Sequence, residues 1–78
     1  MIFANDKTLY KIIGSNIKKY RSRAGYTQSN FADKLGISLS YLTKIEAANC
    51  DKSFSISLLN HIARTLNIDI IDFFKDGD

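Results

Sequence analysis

The sequence predicts an all-α fold: a compact bundle of five helices in one domain spanning residues 1–78. Three observations carry this expectation. Apolar residues recur at spacings of three and four along most of the chain, the helical period, and no segment alternates as a strand would. Proline is absent and glycines number only four, so little interrupts a helix. Hydroxyl residues and Gly or Asn stand where successive apolar runs begin and end, which is where caps belong.

The first helix is expected from about Lys7 or Thr8 to Ala24, capped by Asn5 or Asp6 and stopped by Gly25. Leu9, Ile13, Ile17, Tyr20 and Ala24 form its apolar stripe, and Lys11, Lys18, Lys19 and Arg23 lie largely off it. Thr27 caps a second helix over about Gln28 to Leu35, with Phe31, Ala32 and Leu35 inward. Gly36 suits the left-handed stop after it. Ser38 then caps a third helix, Leu39 to about Ala47, which buries Leu42 and Ile45, with Ile37 just ahead of it, and exposes Leu39, Ser40, Thr43 and Lys44. The segment from Ala48 to Ser53 is polar and aperiodic. Ser55 caps a fourth helix to Leu66, with Ile56, Leu59, Ile62, Ala63 and Leu66 inward and Asn67 as its stop. Asp69 starts a last short helix to about Lys75.

Two helices joined by a tight glycine turn, here about residues 27–47, form a helix-turn-helix, whose second helix enters the DNA major groove. Charge placement agrees with a polyanionic partner. Residues 1–52 hold nine Lys/Arg against four Asp/Glu, whereas residues 53–78 hold two against four. The exposed third-helix residues are the candidate base readers: Ser38, Leu39, Ser40, Thr43 and Lys44. Lys44 can donate to guanine, the hydroxyls can bond several base edges, and Leu39 can touch a thymine methyl. Lys18, Lys19, Arg23, Asn49 and Lys52 are candidate phosphate contacts that would give affinity and salt dependence rather than sequence choice. Tyr41 has two readings: a phosphate-bonding hydroxyl on a partly packed ring, or plain core.

The ordered set Ile13-Gly14, Ile17, Arg21, Gly25-Tyr26-Thr27-Gln28, Phe31 through Ser38, Tyr41-Leu42, Ile45-Glu46, Ile62-Ala63, Leu66 and Phe73-Phe74 resembles the Cro/repressor-type (Xre-like) helix-turn-helix family. The likeness covers about Ile13 to Phe74. It implies a lambda-repressor-like DNA-binding domain, usually dimeric. In such a domain Gln28 bonds a phosphate and braces the recognition helix, and Arg21 and Glu46 form a structural ion pair between the first and third helices. The chain departs from the family at Asn30, where a capping-box Glu is common, and in a longer turn after the third helix.

The last segment is unusually apolar. Ile68, Ile70, Ile71, Phe73 and Phe74 are more than one short helix is expected to bury, and residues 55–75 read as a dimerisation region. Ile68, Ile70, Ile71 and Phe74 are the candidate interface, with Ile2 and Phe3 as a further apolar pair. A two-fold dimer would place two recognition helices one DNA turn apart, roughly 34 Å, on an inverted repeat. The expectation is a cytoplasmic transcriptional regulator that is a homodimer on double-stranded DNA. Restriction-modification controllers and phage or mobile-element repressors share this style. The alternative is an antitoxin-like module whose apolar C-terminal helix holds a protein partner.

Other classes are weakly represented. There is no run of about 18 apolar residues, so no membrane span is expected. Met1 to Asp6 lack the basic region and long apolar run of a signal peptide, so none is expected, and there is no phosphate-binding glycine loop motif. His61 lacks a second ligand at metal spacing, and Cys50 is the single cysteine. No enzyme activity, metal, cofactor or small-molecule ligand is expected.

Overall fold

The computed structural model describes residues 6–47 and 54–76, in four α-helices and a closing 3-10 turn. The helices are α1 (Asp6–Arg23), α2 (Gln28–Leu35), α3 (Leu39–Glu46) and α4 (Ile56–Leu66). The fifth expected helix is instead a 3-10 turn, Ile70–Phe74, opened by the Asp69 side chain accepting from the Ile71 amide at 3.2 Å. Five residues are too few to nucleate a stable α-helix, and tighter bonding suits so short a piece. Asn5, Ile2 and Phe3, and the loop with Asn49, Cys50 and Lys52, lie outside the described residues.

Local chemistry explains each boundary. Thr27, Ser38 and Ser55 are extended residues whose hydroxyls accept from the amides of Asn30, Tyr41 and Leu58, each at 3.0 Å. That satisfies one otherwise unpaired donor at each helix start. The first, second and fourth helices end alike. Gly25, Gly36 and Asn67 have φ of 86°, 76° and 57°, and the following amide reaches back to a carbonyl five residues earlier. This is the Schellman stop, which favours Gly or Asn because a Cβ crowds the left-handed backbone.

The core gathers Ile13 and Ile17 from α1, Phe31, Ala32 and Leu35 from α2, and Leu42 and Ile45 from α3. Leu59, Ile62 and Ala63 from α4, with Phe54 and Phe73, complete it. Phe54 meets the ring of Tyr10 edge-on at 5.2 Å and so ties the entry of α4 to α1. Two expected inward residues are not inward. Ala24 is exposed because α1 ends one residue before it, where the chain turns away. Ile56 is 67% exposed: it is the first residue of α4, and a helical side chain leans toward the N-terminus, past the edge of the core.

Candidate nucleic-acid interface

The geometry of α3 begins at Gly14. A Cβ there would stand 2.2 Å from the main-chain carbonyl oxygen of Ile45, so α1 and α3 touch backbone to backbone. About two helical turns beyond Gly14, Arg21 closes the same junction. Its Nε donates to Glu46 Oε2 at 2.7 Å and its Nη2 to Glu46 Oε1 at 3.1 Å. Its Nη1 donates to the Tyr26 carbonyl at 2.6 Å, which pins the turn before α2. Gln28 completes the set, donating from Nε2 to Glu46 Oε1 at 2.9 Å. Arg21 and Glu46 are both 7% exposed. A charge pair this deep is tolerable only when its lone pairs and protons are satisfied, as they are here by the bidentate fork and Gln28. The glutamate at the end of α3 is therefore held by α1 and by the first residue of α2 together.

With one face locked, α3 presents the other outward. Leu42 and Ile45 are buried, whereas Ser38, Leu39, Ser40, Thr43 and Lys44 are exposed. Leu39 is 47% exposed, a large apolar side chain at the opening of the helix. The Thr43 hydroxyl donates within the helix to the Leu39 carbonyl, leaving its oxygen lone pairs to accept. Tyr41 is half-buried against the core. Gln28 is half-buried at the N-terminal end of α2, where free amides and the helix dipole favour an anion.

The candidate phosphate contacts divide. Lys18 is exposed and lies one turn beyond Gly14, on the flank of α1 that meets α3. Lys19 and Arg23 instead gather at the Tyr20 ring, 5.1 and 5.7 Å from its centroid. Tyr20 packs edge-on against Phe73 at 6.2 Å, so these two cations sit by the C-terminal turn rather than with α3. Lys19 also lines a cleft of about 470 Å³ with Lys11, Ser15, Lys75 and Asp76, to which α2 and α3 contribute nothing.

The C-terminal segment is buried more fully than its composition suggests. Phe73 is fully enclosed, and Ile68, Ile70 and Phe74 are half-buried against the core. Ile71 remains 61% exposed. One tie to this segment is absent from the sequence-based candidates: Asn16, 5% exposed, donates from Nδ2 to the carbonyls of Phe73 and Lys75, both at 2.8 Å. The available signal is weak: an amide side chain directly before the inward Ile17, with the polar Ser15 beside it. On the outer side of the turn, a hydrogen bond from Lys75 holds the Asp72 carboxyl below its ordinary pKa and raises that of Lys75. His61, at the surface, places Nε2 2.9 Å from the Leu35 carbonyl and links α4 to the end of α2.

The model of the helix-turn-helix family HTH_3 matches the chain over residues 17–73, which include the glycine turn and the buried Arg21–Glu46 pair. The chain belongs to the HTH_3 (Xre-like) helix-turn-helix family. It is 34% identical to the HTH-type transcriptional regulator SinR of Bacillus licheniformis, over 86% of this chain and 60% of that protein. It is thus similar to a part of SinR and spans somewhat over half its length. Among solved structures, it resembles SinR, a master regulator for biofilm formation, in complex with DNA: 33% identity, TM-score 0.73, 81% of this chain and 98% of that one. The restriction-modification controller C.AhdI of Aeromonas hydrophila shares the fold, with TM-score 0.74 at 22% identity, over 83% of this chain and 96% of that one. Among the described residues, no helix is long and apolar enough to cross a membrane.

Proposed function

We propose that the chain is a sequence-specific, double-stranded-DNA-binding transcriptional regulator that acts in the cytoplasm as a dimer on an inverted-repeat operator. The observation that carries this reading is the two-sidedness of α3: one face is locked through Gly14, Arg21 and Gln28, and the other offers Leu39, Ser40, Thr43 and Lys44 to a groove. Support comes from the structure of SinR with DNA, whose fold this chain shares at 33% identity.

In this reading α3 lies in the major groove. Ser38, Ser40, Thr43 and Lys44 bond base edges, and Leu39 packs on a thymine methyl. Gln28, Tyr41 and Lys18 hold phosphates at the groove's edges, with Gln28 also joining that backbone to Glu46. Ile71, with Ile68, Ile70 and Phe74 around it, supplies the two-fold contact.

Selection from a random duplex pool at near-physiological salt, followed by sequencing, tests the reading. An enriched inverted repeat supports it. Salt-sensitive binding with no enrichment overturns it, and turns attention to a protein partner for the C-terminal segment. Lys44→Ala is expected to relax preference at one base pair per half-site by about 1–3 kcal/mol. Equal loss on every sequence would make Lys44 a phosphate contact instead.

A further inference from the structure

Ile71 and α3 are both anchored to one turn of α1. Gly14 seats the backbone of α3 at the Ile45 carbonyl, and Asn16, two residues on, holds the turn that carries Ile71. The two anchors are about 3 Å apart along the helix axis and on different sides of it. Between them lies only helical backbone.

The Asn16 attachment is of an orienting kind. Its carboxamide has two N–H donors, and Nδ2 makes two hydrogen bonds, to the carbonyls of Phe73 and Lys75 at 2.8 Å each. Two points of attachment on one side of a five-residue turn fix its angle as well as its position. Ile71 stands two residues before the first of these carbonyls and is exposed. Apolar packing of Phe73, with Ile70 and Phe74 beside it, holds the turn down, and the two hydrogen bonds add the directional restraint that apolar burial lacks.

We infer that Asn16 is a positioning residue for operator geometry: by fixing the pairing surface at a set angle to α3, it determines the half-site spacing that the dimer accepts. The inference rests on the dimeric reading given above. Its leverage is geometric. A tilt of about 10° at the pairing surface, carried across the 20 Å short dimension of the fold, displaces a recognition helix by about one base-pair step of 3.4 Å. Asn16 touches no DNA in this arrangement. Its influence falls on spacing, and base choice within a half-site is left to α3.

The test uses the full chain, with Asn16→Ala and Asn16→Gln beside the unsubstituted protein. Each is titrated with duplexes carrying two selected half-sites separated by spacers that change one base pair at a time. Sedimentation and helical content are measured alongside. The expected result is an unchanged half-site base preference and a retained dimer, with discrimination between neighbouring spacers reduced or shifted by about fivefold or more. Asn16→Gln keeps the donors but moves the amide by about 1.5 Å, so it carries the test should Asn16→Ala fail to fold. A folded, dimeric variant with the original spacer profile overturns the inference and reduces Asn16 to a packing role. An unsubstituted protein indifferent to spacer length overturns the dimeric-operator reading, and the inference with it. The two failures are told apart by the unsubstituted protein alone.

Discussion

On one flank of α1, Gly14 meets the backbone of α3 with no side chain between them, and a buried, bidentate Arg21–Glu46 pair closes the contact. On the other flank the C-terminal turn is held by apolar packing of Phe73, with Ile70 and Phe74 half-buried beside it, and by one directional group, the carboxamide of Asn16; it leaves Ile71 exposed. The first junction has almost no freedom, because backbone cannot repack as side chains do. The second depends on one side chain and a patch of apolar contact. α3 is set rigidly in its own domain, whereas the surface proposed to pair rests on fewer directional contacts. Under the dimeric reading proposed above, the spacing of half-sites can change without a change in how each is read.

The largest expected effect breaks the rigid flank. Glu46→Ala leaves the Arg21 guanidinium buried without its partner and Gln28 without its acceptor, a loss of about 3–5 kcal/mol in unfolding free energy. Urea unfolding measures it, and a loss below about 1 kcal/mol would place the pair among exposed bridges instead. Next comes Gly14→Ala, whose methyl carbon would stand 2.2 Å from the Ile45 carbonyl oxygen. Overpacking of this kind typically costs about 1–3 kcal/mol, and here it should also shift α3 and weaken DNA binding beyond the loss in stability. An unchanged unfolding midpoint would show that α3 does not need the close approach.

Ile71→Lys addresses the softer flank. Because the side chain is exposed, unfolding of the protomer should change by about 0.5 kcal/mol or less, while self-association and operator binding fall. An unaltered sedimentation profile would remove Ile71 from the pairing surface. The smallest effect is expected from Asp72→Asn. The Lys75 hydrogen bond lowers the Asp72 pKa, so the stabilisation is present above the ordinary carboxylate value and is lost as pH falls through the lowered folded one. The unsubstituted protein should therefore exceed the variant in thermal midpoint slightly at neutral pH, and the gap should close in strong acid. A gap that persists there would assign it to something other than this pair.

Much of this architecture was legible in one dimension. Thr27, Ser38 and Ser55 as caps, Gly25, Gly36 and Asn67 as stops, and the inward faces of α2 and α3 are local matters. A hydroxyl next to an unpaired amide, or a glycine at positive φ, depends on its neighbours in sequence, and so the four α-helices and the outward face of α3 follow from local chemistry, whereas the expected fifth helix is a 3-10 turn. The tertiary structure decided what lies far apart along the chain. Asn16 and Phe73 are separated by 57 residues, and no periodicity links them. Gly14 reads as a weak helix residue until Ile45 is brought against it. Ile56 fits the apolar stripe of α4 yet lies past the rim of the core, and Lys19 and Arg23 share α1 with Lys18 yet gather at Tyr20. Burial and approach are properties of the packed whole, because they depend on which surface arrives opposite a residue and not only on the residue itself.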